Sequence, residues 1–187
     1  FTIMILQKLK TFIKYFLINT KIVPEKVFER TRTHWLRVVS HETSMNIIQN
    51  ISTELSSVLE ISGKDARRFL QGLVSNDIEK VSEERAIYGA FLTAQGKYLH
   101  DFFITTIGSR LLLDCEASRI EDLYRRLKIY KLRSNVKIII TDAYQVLALF
   151  GTGALTSLEL PEKAGAAKFF ENGIVYTDPR LALAGAR

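Results

Sequence analysis

The order of apolar and polar positions divides this 187-residue chain into two unlike parts. Over residues 1–18, Ile5, Leu6, Leu9, Phe12, Ile13, Phe16 and Leu17 recur at helical spacing, with Gln7, Lys8, Lys10, Thr11 and Lys14 on the other face. That pattern predicts a helix suited to lying on a membrane surface. The lysines interrupt it too often for a spanning helix, and they fall within the apolar stretch rather than ahead of it, unlike a secretory signal. Pro24 and the mixed run from Arg30 to Arg37 follow with no steady period. Residues 1–44 are therefore expected to be a leader or extension, with the domain proper starting near Met45.

From Met45 the pattern alternates between period two and period 3.6. Leu55 to Ile61 reads as a strand, and Ser62 to Asp65 opens a helix with Ala66, Phe69, Leu70 and Leu73 on one face, closed by Asn76-Asp77. Ala86 to Leu92 and Tyr98 to Thr106 are strands about a turn at Gly96, and Gly108-Ser109 turns into a third, Leu111 to Cys115. Ser118 and Glu121 have the spacing of a capping box for a second helix, whose core positions are Ile120, Leu123, Tyr124, Leu127 and Tyr130 or Lys131. Val136 to Thr141 and Tyr144 to Phe150 are further strands, and Asn172-Gly173 marks a hairpin within Phe169 to Tyr176. This order predicts an α+β fold, a mostly antiparallel sheet with two amphipathic helices. Residues 45–150 are expected to form the main domain and residues 151–187 the start of a following, incomplete segment.

Composition adds little to the fold but excludes several functions. The net charge of +6 is concentrated in the leader: residues 1–44 carry eight Lys and Arg against three Glu, leaving 18 basic and 17 acidic residues of the totals 26 and 20. The domain is nearly neutral, so no direct nucleic-acid binding is expected, and a membrane contact only through residues 1–18. Cys115 is the single cysteine, which excludes an intrachain disulfide and a cysteine-held cluster. His34, His41 and His100 have no metal-ligand spacing, so no protein-only metal site is expected. No phosphate loop and no nucleophile elbow is present, and Gly151 to Gly153 reads as a turn.

Asp101 is the one acid with a specific context, an apolar strand leading away from the Gly96 turn. It is either a solvent-face acid or a carboxylate that hydrogen-bonds a heterocycle edge. Tyr88, Tyr98 and Tyr130 are core aromatics or stacking platforms. Arg133 either closes the second helix or holds an anion, and Arg180 either pairs with Asp178 or does the same.

Four phrases in order carry a resemblance: Phe69-Leu-Gln-Gly72 with Ser75-Asn-Asp77, Gln95-Gly96-Lys97 through Asp101-Phe102, Leu127 through Arg133 to Val136, and Asp178-Pro-Arg180 with Gly185 and Arg187. Together they resemble the YgfZ/GcvT-like folate-binding family, which contains the glycine-cleavage aminomethyltransferase and its iron–sulfur-assembly relatives. The resemblance implies an aminomethyltransferase-like folate-binding fold and tetrahydrofolate as cofactor. It implies Asp101 at the pterin edge, Tyr98 stacking, Arg133 or Arg180 at the glutamate tail, and Gly72, Asp77, Gly96 and Lys97 as structural motif positions. The aminomethyltransferase carries two consecutive acids where this chain has His100-Asp101, which leans toward the YgfZ branch and away from an enzyme. That branch is implied to aid assembly or repair of iron–sulfur enzymes, including radical enzymes that methylthiolate tRNA, with such clients or assembly factors as partners. Its K-G-C-Y-x-G-Q-E signature does not occur here, which implies an amino-terminal portion with the carboxy-terminal part missing; the alternatives are a one-carbon aminomethyltransferase and a non-functional gene fragment. The implied compartment is the bacterial cytoplasm, or the mitochondrial matrix in a eukaryote.

Overall fold

The computed structural model describes residues 49–52, 56–151, 153–170 and 173–187. The leader, the expected strand start at Leu55 and the turn residue Asn172 lie outside the described residues. Among the described residues, no helix is long and apolar enough to cross a membrane.

Residues 46–187 form one compact unit. Its centre is a five-stranded sheet of β2 (Ser56–Ser62), β3 (Ile87–Leu92), β4 (Tyr98–Ile107), β5 (Arg110–Glu116) and β6 (Lys137–Thr141). The strand order is β3-β4-β5-β2-β6 and every pairing is antiparallel. Two short helices, α1 (Ala66–Gln71) and α2 (Ile120–Lys131), cover one face. The ladder β1 (Gln49–Ser52) with β7 (Leu147–Phe150), the single turn α3 (Ala154–Ser157) and the hairpin β8 (Ala167–Phe170) with β9 (Gly173–Tyr176) complete the unit. The expected α+β class and antiparallel sheet are what the chain adopts.

The period-two pattern decides which face is which. Leu59 and Ile61 of β2, Phe91 of β3, Phe102 and Ile104 of β4, and Leu111 and Leu113 of β5 meet Phe69, Leu70, Leu123 and Leu127 from the helices. Most of these are completely buried, and each side chain of this size stabilises the fold by about 2 kcal/mol through its removal from water. The alternate positions face the other way and include Tyr88, Asp101, Phe103 and Asp114. Residues 151–187 fold onto this second face, where Ala167 and Tyr176 pack with Phe103 and Ala86.

Several local expectations are corrected. The first helix stops at Gln71, with Gly72 still in right-handed conformation, so no backbone demand requires glycine there. Asp77 does not close that helix. It caps a separate 3-10 turn, Ile78–Lys80, by accepting from the Glu79 amide at 3.1 Å. The phrase between them instead braces the edge strand β3. Gln71 accepts from the Ile78 amide at 2.7 Å, Ser75 exchanges backbone and hydroxyl hydrogen bonds with Ala90, and Asn76 donates to the Tyr88 carbonyl at 2.8 Å. The bonds to Ala90 and Tyr88 satisfy backbone groups that an edge strand would otherwise leave exposed, while the Gln71 bond ties α1 to the 3-10 turn. The capping box at Ser118 does not form. Ser118 sits in a 3-10 turn, Ala117–Arg119, and donates to Glu116, so Arg119 precedes α2 with no side-chain cap. Tyr130 is half-exposed and packs edge-on against Phe91 at 5.8 Å, and β7 starts at Leu147 rather than Tyr144.

Two glycines are needed for different reasons. Gly96 has φ +79 in a five-residue loop closed by hydrogen bonds between Thr93, Gly96 and Lys97, with nothing within 4 Å of where a Cβ would stand. Gly63 has φ +114 and would place a Cβ 2.3 Å from the Asn135 carbonyl oxygen. Gly96→Ala is therefore expected to cost about 1 kcal/mol, from backbone conformation alone. Gly63→Ala is expected to cost roughly 3 kcal/mol or more, since it adds a backbone clash. Urea denaturation of the two variants checks this, and equal losses would contradict it.

Candidate functional site

The site begins with an irregularity in the β3-β4 ladder. Phe91 pairs with His100 and Leu92 with Tyr98, so β4 carries one extra residue, Leu99. In a regular strand Tyr98 and Asp101, three positions apart, would point to opposite faces. The bulge turns Tyr98 over and puts both on the second face of the sheet. There the Tyr98 hydroxyl donates to Asp101 Oδ1, and the Tyr88 hydroxyl, from β3, donates to Asp101 Oδ2.

Each tyrosine is backed by an arginine. Arg119 donates to the Leu99 carbonyl, which is the backbone group at the bulge, and to the Tyr98 hydroxyl at 3.3 Å, with its guanidinium 5.6 Å from the Tyr98 ring. Arg180 lies 5.5 Å from the Tyr88 ring and 4.7 Å from the Phe103 ring. Its Nε and Nη2 both donate to the buried Asp178 carboxylate, at 3.0 and 2.7 Å. A third pair closes the row: Arg187 donates to Asp114 at 2.7 Å and sits 4.0 Å from the Phe103 ring.

Electrostatics separates these acids. Burial pushes the Asp101 carboxyl up, but the hydrogen bonds from Tyr88 and Tyr98 outweigh it and hold the group below the usual carboxylate range. Burial likewise opposes Asp178, and the Arg180 bonds win. At Asp114 burial prevails over Arg187 and raises the pKa. Asp101 is thus an ionised, acceptor-only group at the partly open end of the face.

The structure brings together Asp101, Tyr98 and, through Tyr88, Arg180. It does not bring Arg133 to them: Arg133 lines a groove beside α1 and the end of α2, on the helix-covered side of the sheet. Gly72 lines that same groove, Lys97 is exposed at the hairpin tip, and Asp77 is a turn cap. Arg119 has no motif to mark it, and Asp114 reads as an unremarkable acid in an apolar strand. The spacing of Tyr98 and Asp101 was the available signal, since it makes sense as a pair only if the strand is bulged.

His100 is also displaced from its expected meaning. Its ring is buried on the helix side and bonds Asp122 of α2 at 2.9 Å, so it does not share a face with Asp101. Burial lowers its pKa, against the pull of Asp122.

The Tyr88 hydroxyl titrates at about 12 instead of 10.0, first through burial and then through its bond to Asp101. With the folded value above the free one, its stabilisation is complete below pH 10 and is lost as pH rises through about 12. The variant Asp101→Asn is expected to move this titration part of the way back, because burial remains, and to lower that of Tyr98 as well. Tyrosinate absorbance against pH checks this, and an unchanged curve would contradict the hydroxyl–carboxylate contacts.

Comparison with known proteins extends these observations. The model of the GCVT N-terminal domain matches residues 22–170. The human "Iron-sulfur cluster assembly factor IBA57, mitochondrial" is 31% identical over 146 residues, covering 70% of this chain and 40% of that protein. The Pyricularia oryzae protein named as an IBA57 homolog is 37% identical over 89 residues, 46% of this chain and 23% of that one. This chain thus spans less than half the length of either relative. Among solved structures, the glycine cleavage system aminomethyltransferase T from Bartonella henselae superposes with a TM-score of 0.58 over 76% of this chain and 41% of its own, at 17% identity, a likeness of fold. With the domain model matched over most of its length, the chain belongs to the GCVT N-terminal domain family.

Proposed function

We propose that this chain supplies the folate-binding half of an iron–sulfur cluster assembly or repair factor of the IBA57 and YgfZ kind, acting in mitochondria. The similarity to proteins named as mitochondrial IBA57 assembly factors supports the process and the compartment. The observation that carries the ligand is Asp101: an ionised carboxylate on a sheet face walled by Tyr88, Tyr98 and Phe103.

Tetrahydrofolate fits this donor set. The pterin edge offers N–H groups, and a carboxylate oxygen that accepts one tyrosine hydroxyl retains a lone pair for another donor. Asp101 would hold the pterin edge, with Tyr98, a residue 54% exposed, stacking on the ligand. Bound tetrahydrofolate supplies a carrier for one-carbon units. Arg180 is the anchor that remains near this site for the glutamate tail: its side chain is half-exposed, Asp178 engages its Nε and Nη2, and Nη1 is the group that would bond a carboxylate. Arg133, on the other side of the sheet, would not reach the same ligand. Residues 45–150 supply the carboxylate and both tyrosines, and residues 151–187 supply Arg180. Radical enzymes that methylthiolate tRNA are a client class under this reading, and contact with nucleic acid is left to such clients.

The rival reading, a one-carbon aminomethyltransferase, rests on the shared fold. A methylene-transfer assay from a carrier protein separates the two and is expected to show none. The ligand itself is tested by titrating 5-formyltetrahydrofolate against wild type and Asp101→Ala. Wild type is expected to bind, and Asp101→Ala to weaken binding about tenfold or more, the loss of a hydrogen bond to a charged group. Equal affinity would remove Asp101 from the site.

A further inference from the structure

The face of the molecule away from Asp101 carries its own feature. An open groove of ≈ 740 Å³ runs beside α1 and the carboxy-terminal end of α2, with Phe69, Leu73, Tyr130 and Leu132 among its lining. Three large apolar residues within four positions of this helix end are left in water: Ile129 is 70%, Tyr130 51% and Leu132 86% exposed, and the last two line the groove. Leu132, the residue after the helix, also has φ 43 with ψ -115, a left-handed φ that glycine adopts far more readily than leucine. A branched side chain there is strained, and its exposure brings no burial in return. Two local rules are broken at one residue, and nothing inside the described fold repays it, the signature of a residue kept for an external contact.

The charge of the groove selects the occupant. Arg68 and Arg133 line it, and neither takes part in an ion pair among the described residues. The one acid of the lining, Asp65, accepts from the Asn135 amide at 2.7 Å, the bond that holds the chain after α2 against the start of α1; it keeps its charge, and two arginines against it leave the lining at +1. The groove is therefore apolar within and cationic at its edge. Residues 1–44, with eight basic and three acidic side chains, have the wrong sign to fill it.

We infer that this groove is a protein-docking site, and that its occupant is an acidic segment of a partner protein presenting a bulky apolar side chain to Leu132 and Tyr130. Apolar contact at the centre supplies affinity, and carboxylates against Arg68 and Arg133 set the orientation. Because the groove and the Asp101 face lie on opposite sides of the sheet, a partner can be held while the ligand site stays open. This docking does not depend on the ligand being folate.

The test uses the full chain and two labelled amphipathic peptides, one of Glu and Leu only, the other of Lys and Leu only, read by fluorescence anisotropy at low salt. The Glu/Leu peptide is expected to bind, and to lose about tenfold or more in affinity with the paired changes Arg68→Glu and Arg133→Glu. Leu132→Gly is expected to weaken binding in the same way while raising Tm by about 3 °C, because glycine relieves the left-handed backbone. That opposite movement of affinity and stability is not expected of a residue with a merely structural role. No binding by the Glu/Leu peptide overturns the proposal, as does a lowered Tm in Leu132→Gly. Equal or tighter binding of the Lys/Leu peptide would assign the groove to a basic segment such as residues 1–44. A concentration-dependent dimer, lost in Leu132→Gly, would assign it to a second copy of the chain; either result also overturns an acidic partner.

Discussion

One extra residue in one strand governs the chemistry of this domain. Leu99 interrupts the pairing of β3 with β4, and that interruption is what puts Tyr98 on the same face as Asp101. A bulge disrupts the ladder locally, and an unbonded backbone carbonyl costs free energy on the order of 1–3 kcal/mol where it is buried. Arg119 answers that cost with a charge-assisted hydrogen bond to the Leu99 carbonyl. Arg119 in turn is fixed because it immediately precedes α2, and α2 is fixed by Leu123 and Leu127, both fully buried in the core. The apolar core on one side of the sheet thereby sets the geometry of a polar site on the other.

That polar face is closely balanced. Asp101, Asp114 and Asp178 are met by Arg119, Arg180 and Arg187, with the rings of Tyr98, Tyr88 and Phe103 between the guanidinium groups. Arg180 and Arg187 are tied to their own buried carboxylates, which keeps the second face from acting as a general anion trap. Asp101 differs from the other two acids, since its direct hydrogen-bond partners are phenols rather than guanidinium groups. Neutral donors stabilise the carboxylate without cancelling its charge, so Asp101 still presents a net negative end to an incoming N–H group.

The elements were legible in the chain because each strand and helix obeys its own period. Leu111 and Leu113 on one face with Asp114 on the other, or Leu123 with Leu127 at helical spacing, can be read without knowing what they meet. What was not legible depended on contacts between elements. The Ser118 capping box is sound locally, yet Ser118 is drawn into a 3-10 turn by Glu116, and an arginine with a long-range partner precedes the helix instead. Arg119 and Asp101 are joined only through a bulge, which no periodicity announces. Arg133 stands in a phrase that closes α2 and docks it through Asn135 and Asp65, so packing accounts for the phrase without a ligand.

His100 shows why neighbours in sequence are poor witnesses to a shared site. Consecutive strand residues point to opposite faces, so two acids at positions 100 and 101 of this strand would not form a paired site on one face. Position 100 faces Asp122, whose carboxylate also receives Arg126 at 2.6 Å. A buried carboxylate at 100 would face the like charge of Asp122, itself 40% exposed, and would lose the bond that the histidine ring makes. The histidine is explained by what α2 brings to the helix side of the sheet. It therefore does not report on the chemistry at Asp101, and the proposal of an assembly factor over a transferase rests on the similarity to proteins named as IBA57 assembly factors.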